Sequence, residues 1–249
     1  MLTNYDNHET KYLEQSVDAM RTLENKSNQQ EKAAYNGIYN HYIKRFFDLI
    51  ISIVGLCVLW PVYVVVALAV VAEDGLPVFY RAPRGGYRGR TFYIAKFRTM
   101  VKDADKIGGG TTALHDSRIT KVGNFLRKTK LDELPQLGQV LLGKMSLVGP
   151  RPELLKYVEQ YQGEEKDILQ VRPGITDYSS IEFINLDEIV GAEKNADEMY
   201  EKYVLHKKNE LRIKYAHTVS FVTDIRLLFL TIWKVLEKAF GFIVKKEHR

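Results

Sequence analysis

The chain has 249 residues, a formal net charge of +5 and 45% hydrophobic residues, which is enough to bury a core in one or two domains. Its single cysteine excludes a disulfide framework and a cysteine metal site, and its six histidines show no paired metal spacing. The mild basic excess suits anionic lipid or phosphorylated substrates, and the bases form no RNP, zinc-finger or helix-turn-helix pattern, which argues against nucleic acid.

Residues 1–39 read as a polar N-terminal extension without the cationic-then-apolar start of a secretory signal. Leu13, Val17, Met20 and Leu23 recur at helical spacing and would allow an amphipathic helix over Thr10–Lys32, but a flexible or partly helical extension outside the catalytic core is the favoured reading. Nothing catalytic is expected there.

Residues 40–75 carry the dominant apolar run, Phe46–Ala72, interrupted by Asp48 and Ser52. At about 1.5 Å per residue it could cross a hydrocarbon layer of about 30 Å. Three features argue for a re-entrant hairpin instead. Both flanks are basic, with Lys44 and Arg45 before the run and Arg81, Arg84, Arg88 and Arg90 after it, which favours both ends on the cytoplasmic side. Pro61 falls near the middle, where it removes one backbone bond and favours a bend. Asp48 would be costly deep in lipid and is expected to be functional or paired. Cys57 is read as a small hydrophobe buried in this run.

Residues 76–249 read as one catalytic domain. Short strands are expected at Pro77–Tyr80 and Thr91–Ile94 around the Gly/Arg turn Arg84–Arg90, which faces head groups or a substrate phosphate. Gly108–Gly110 lacks a following Gly-Lys-Ser/Thr and so is a loop, not a P-loop. Phe125, Leu126 and Leu131 suggest a packed helix around Gly123–Lys128.

The stretch Arg127–Pro152 places Asp132 and Glu133 between Arg127, Lys128 and Lys130 on one side and Lys144 and Gly149-Pro150-Arg151-Pro152 on the other. Chemistry on a phosphate ester needs this set: a carboxylate to attack or take a proton, another to hold a divalent metal, and cations to neutralise phosphate oxygens. A solvated charged helix face is the plain alternative for an isolated Asp-Glu pair.

Several motifs in order carry a stronger signal. Lys44-Arg45-Phe46-Phe47-Asp48, Lys96-Phe97-Arg98-Thr99-Met100, Leu131–Leu137, Gly143–Pro152 and Val171–Thr176 together resemble the bacterial sugar transferases, the monotopic phosphoglycosyl transferases, over roughly residues 40–236. The resemblance implies an α+β, mainly helical, membrane-associated fold. It would have a re-entrant hairpin bent at Pro61, a small cytoplasmic catalytic domain with short strands, and interfacial amphipathic helices. It implies transfer of a sugar-1-phosphate from a UDP-sugar to polyprenyl phosphate with release of UMP, at the cytoplasmic face of a bacterial inner membrane. Asp132 would be the nucleophile of a two-step path and Glu133 the ligand of Mg²⁺. Lys96, Arg98, Arg127, Arg151 and Arg172 would face phosphate or nucleotide.

The chain departs from the family pattern at four places. Trp60 stands where Ser often precedes the proline, and Gly85 where a proline often follows the arginine. Asp177-Tyr178-Ser179-Ser180 replaces Gly-aromatic-Ala-Gln, and Arg212 replaces an Asp three residues before Tyr215. A Glu-rich, insert-like helical stretch is expected over Asp187–Met199. Val219–Val244 has a broad apolar face broken by Asp224, Arg226, Lys234, Glu237 and Lys238, too short to span and suited to lying at the interface, with a core-packing helix as the alternative. A non-catalytic scaffold tethered to anionic lipid and a nucleotide-sugar hydrolase are the competing functions.

Overall fold

The computed structural model describes residues 34–104, 116–186, 189 and 196–247. The alternative helix over Thr10–Lys32, the triglycine loop and most of Asp187–Met199 lie outside the described residues. The described architecture is mainly helical, with two small two-stranded sheets.

The dominant element is α1, Lys44–Asp74, a 31-residue helix that continues a short π-helical turn at Tyr39–Ile43. Pro61 lies inside α1 and no turn divides it, so the apolar run is a single helical element. Tyr39–Asp74 is long and apolar enough to cross a membrane, with a mean hydropathy of 2.6. Only one stripe of α1 is buried, made of Lys44, Asp48, Ser52, Val66 and Val70, residues that stack on one face at helical spacing. That stripe meets the rest of the protein at both ends and in between. A methyl added at Gly55 would come within 3.3 Å of Leu137, and the Tyr63 hydroxyl donates to the Leu134 carbonyl. The opposite side displays Ile50, Val54, Val58, Trp60, Val65 and Leu68. Cys57 belongs to that outward side: it is exposed, not buried as its apolar neighbours suggested, because a helix with one contact stripe leaves most of its circumference uncovered.

Strands β1 (Phe79–Gly85) and β2 (Thr91–Phe97) form an antiparallel hairpin with Phe79 opposite Phe97 and Gly85 opposite Thr91. The strands are longer than the sequence suggested, because Arg84 and Gly85 still pair and only Gly86–Arg90 turn. Helix α2 (Lys121–Thr129) starts at Thr120, whose hydroxyl accepts from the Gly123 amide, and buries Leu126 against Val66, Val70 and Phe97. Glu73 at the end of α1 accepts from the Lys121 and Val122 amides at 2.8 Å, a carboxylate satisfying free donors at a helix start.

Helix α3 (Gln136–Leu141) leads to β3 (Ser146–Val148), which pairs in parallel with β4 (Gly174–Thr176). Gly149 and Gly174 lie back to back: a methyl on Gly149 would stand 2.3 Å from the Arg172 carbonyl oxygen, and one on Gly174 would stand 2.1 Å from the Gly149 nitrogen. Only glycine allows the two backbones this close, which locks the Gly149–Pro152 turn onto the Arg172–Gly174 turn. Short helices α4 (Leu155–Val158), α5 (Tyr178–Glu182) and α6 (Ala196–Met199) follow, then α7 (His206–Thr218) and α8 (Phe221–Glu247).

The main core gathers Phe92, Ile94, Val140, Met145, Tyr215 and Leu227 with Tyr35, so Ala34–Asn36 packs into the body instead of standing outside it. Helix α8 combines the two roles weighed from its sequence. Asp224 and Leu227 are buried, while Val222, Phe229, Trp233 and Phe240 stay exposed.

Candidate active site

Helix α2 ends at Lys130, whose backbone is left-handed at φ 60°. A non-glycine residue there costs free energy, and such positions persist only where surrounding structure imposes them. The turn redirects the chain into the single 3-10 turn Leu131–Glu133, which carries both carboxylates. Asp132 is 6% exposed, and its Oδ1 is buried without a hydrogen-bond partner among the described residues. Burial, and next the adjacent Glu133 carboxylate, push the Asp132 carboxyl above the usual carboxylate range.

Glu133 is held in the opposite condition. Lys96 on β2 donates to its Oε1 at 3.0 Å, and the Arg151 guanidinium grips both oxygens as a fork, with Nη1 to Oε2 at 2.9 Å. Burial alone would raise the Glu133 carboxyl, but Arg151 and then Lys96 outweigh it and hold it well below the usual range. Arg151 is aimed by its turn: its amide donates to Asp177 Oδ2 at 3.4 Å and its Nη1 also reaches the Ile175 carbonyl at 3.3 Å. Burial, offset in part by Glu133, lowers the Lys96 ammonium. Two adjacent carboxylates therefore differ in state. One is fixed as an anion by two cations; the other keeps a free oxygen.

Both open on a cavity of about 450 Å³. Arg127, Lys128 and Lys130 line one part of it; Lys208, Arg212, Lys234 and Lys238 line other parts. The excess of cations over the acidic residues Asp132, Glu133 and Glu153 suits a polyanion such as a diphosphate. The oxygens that the resemblance assigns to Mg²⁺ suit a hard ion. Glu133 Oε1 already accepts from Lys96 and Arg151, whereas Oε2 accepts only from Arg151 and keeps a lone pair; such ions take one or two carboxylates and leave the rest of the shell to water and substrate phosphate.

Of the residues singled out in the sequence, Lys96, Arg127, Asp132, Glu133 and Arg151 converge on this cavity. Arg98 does not line it. Its Nη2 donates to the Asp74 and Gly75 carbonyls at 2.8 and 2.6 Å and pairs with the Asp74 carboxylate, closing the C-terminus of α1. Arg172 also lies elsewhere, donating to Gly143 at 3.3 Å and covering the Tyr87 ring at 5.1 Å. Asp48 is paired structurally, accepting from the Leu147 amide at 3.0 Å. Pro61 is exposed.

Sequence reasoning missed Tyr200, Lys208, Lys234 and Lys238 as cavity residues. Nothing local marks them: they sit on helices far along the chain, among other polar residues. The one available signal was Arg212. This departure from the family pattern is 1% exposed and pairs with Glu153 at 2.8 Å.

Comparison with known proteins agrees with the motif pattern. Residues 39–238 match the bacterial sugar transferase family. A UDP-glucose:undecaprenyl-phosphate glucose-1-phosphate transferase of Escherichia coli (strain K12) is 38% identical over 210 residues, 83% of this chain and 41% of the relative. An uncharacterised sugar transferase of Bacillus subtilis (strain 168) is 36% identical over 194 residues, covering 78% of this chain and 87% of the relative. A putative undecaprenyl-phosphate N-acetylgalactosaminyl 1-phosphate transferase of the same strain is 39% identical over 122 residues, 49% of this chain and 68% of the relative. The chain spans about two fifths of the length of the Escherichia coli relative.

Proposed function

Because the chain belongs to the bacterial sugar transferase family, we propose that it moves a sugar-1-phosphate from a UDP-sugar to polyprenyl phosphate, the first membrane step of a bacterial glycan. The observation that carries this reading is the buried, unpartnered Oδ1 of Asp132 beside a Glu133 already neutralised by Lys96 and Arg151. A lone polar atom in such a place is costly unless a ligand completes it. A non-catalytic scaffold has no use for it.

In the proposed path the Asp132 carboxylate attacks the sugar-linked phosphorus. The bond from that phosphorus to the bridging oxygen breaks, and UMP leaves with the electron pair. The resulting acyl phosphate is then attacked by an oxygen of polyprenyl phosphate, which frees the carboxylate and yields polyprenyl diphosphate sugar. Dividing the transfer lets a water-soluble donor and a lipid acceptor use one site in turn. Lys96, Arg127 and Arg151 balance charge on the phosphate oxygens. Mg²⁺, held by Glu133, would supply further neutralisation of the diphosphate.

The acceptor's location calls for a site at the membrane surface. Arg45 donates to the Leu141 carbonyl at the start of α1, Tyr63 to the Leu134 carbonyl past its middle, and Arg98 to the Asp74 and Gly75 carbonyls at its end. Both ends of α1 on the catalytic body, with basic flanks on either side and Pro61 between them, support a helix that dips into the cytoplasmic leaflet and returns. Cysteines placed at Tyr42 and Leu76 in a Cys57→Ser background should both react with an impermeant thiol reagent from the cytoplasmic side. Labelling from opposite sides would return α1 to a spanning helix.

The decisive test is UMP release from UDP-sugars with Mg²⁺ and undecaprenyl phosphate. The wild-type protein should form a covalent phosphosugar adduct, and Asp132→Asn should lose both adduct and turnover. An adduct that persists in the variant rejects the nucleophile. UMP release independent of the lipid phosphate points to hydrolysis, and no release from any donor favours the scaffold.

A further inference from the structure

The proposed chemistry leaves two buried cations of the cavity wall unused: Arg212, which pairs with Glu153, and Lys208. Lys208, on α7, is 6% exposed, lines the cavity and makes no hydrogen bond or ion pair among the described residues. Its ammonium instead faces two rings, 4.9 Å from the centroid of Tyr200 and 5.7 Å from that of Phe183. The nearby carboxylate is already taken: Glu153 Oε2 accepts from Arg212 Nη2 at 2.8 Å and from the Tyr200 hydroxyl at 2.5 Å. Burial, and next Arg212, pull the Lys208 ammonium down to about 7, and in either protonation state the nitrogen still donates.

The surroundings of Lys208 differ from those of Asp132. Around Asp132 the lining is cationic and suits the diphosphate. Around Lys208 the Arg212–Glu153 ion pair closes one side, and Phe183 and Tyr200, with Ile184 and Leu186 also lining the cavity, give an aromatic and aliphatic wall, where Lys238 ties the Ile184 carbonyl at 2.8 Å. A donor without an oxygen partner beside an apolar wall matches a group with one carbonyl and one methyl.

We propose that Lys208 reads the donor sugar by donating to the carbonyl oxygen of an acylamino substituent, whose methyl packs on Phe183, Ile184 and Leu186. The inference rests on the transferase reading above. A bare hydroxyl would leave the aliphatic wall unfilled. A carboxylate would set its charge beside the Glu153 carboxylate and the ring faces. Sites that hydrogen-bond a substrate group discriminate strongly against analogues lacking it, because the buried partner is then stranded.

The test measures kcat/KM for UMP release from UDP-N-acetylglucosamine, UDP-N-acetylgalactosamine, UDP-glucose and UDP-glucuronate in the full chain, with wild type, Lys208→Met and Lys208→Gln. An acetamido donor should lead UDP-glucose by about tenfold or more in the wild type. Lys208→Met should collapse that ratio by about 10- to 100-fold, and Lys208→Gln, which keeps an N–H, should recover part of it. A wild-type preference for UDP-glucose or UDP-glucuronate overturns the proposal. An equal loss for every donor in Lys208→Met overturns it too. No UMP from any donor with wild type defeats the transferase reading itself, a result distinguishable from either.

Discussion

Two buried ionic clusters lie against the body of this protein, one at the foot of α1 and one in the cavity. At the foot of α1, Lys44 pairs with Asp224, which also accepts from Tyr39 at 2.7 Å and from Tyr215 at 2.7 Å, while Asp48 takes the Leu147 amide. Asp224 has three donors there, and Asp48 has the Leu147 amide. In the cavity, Glu133 is equally well supplied, but Asp132 beside it has an oxygen with none. Closed networks of this kind fasten elements together, here α1 to α8. An open one stores unfavourable solvation that a substrate can relieve. Counting partners therefore separates the anchoring cluster from the one proposed to react, although both clusters contain a Lys, an Asp and an aromatic neighbourhood.

The largest expected effect falls on the closed cluster. Lys44→Met strands Asp224 as a buried charge and should cost about 3–5 kcal/mol in denaturant unfolding. Replacing both partners, as Lys44→Met with Asp224→Leu, should recover most of that loss. If the single variant is as stable as wild type, the anchoring role is wrong.

Arg151→Met tests the open cluster. It frees Glu133 from its fork and removes a charge from the proposed phosphate site, so kcat should drop about 10²- to 10³-fold. Restoration by Arg151→Lys should be incomplete, because an ammonium cannot replace the bidentate grip.

Asp132→Asn should separate stability from activity. The folded Asp132 carboxyl lies above its unfolded value of about 3.9, so wild-type stability falls as pH rises through that range and remains lower at neutral pH. Asn carries no such penalty. Its melting temperature at pH 7 should exceed that of the wild type by about a few degrees, with the gap shrinking below about pH 4. The same shift places the acid limb of the wild-type rate profile above that of an ordinary aspartate. A less stable Asn variant would mean that Asp132 is satisfied in the resting protein.

The smallest effect is expected at Tyr39→Phe, which removes one of three donors to Asp224 and should cost about 1 kcal/mol by thermal unfolding. A larger loss would make the closed cluster more cooperative than its separate bonds suggest.

The separation of the two arginines expected at the site, Arg98 and Arg172, from the cavity has a common cause. Arg98 follows a strand whose penultimate residue, Lys96, points to Glu133, and strand side chains alternate. One residue past the strand, Arg98 instead meets the carbonyls at the end of α1, a partner the linear sequence does not announce. Arg172 belongs to the turn locked against Gly149, so its backbone has a structural task while its side chain caps the α3 turn at Gly143.

Local order in the chain determined a good deal by itself. Adjacent carboxylates amid bases, a long apolar run with a central proline, and glycines in rigid Pro-Arg turns are properties of neighbouring residues, and they pointed to the helix, the carboxylate pair that lines the cavity and the family. Tertiary structure alone decided which cation meets which carboxylate, that Cys57 faces outward, and that Lys208 and Glu153 share a cavity wall with Asp132. Those outcomes depend on contacts between residues dozens of positions apart, and a buried charge takes its character from partners delivered by other elements.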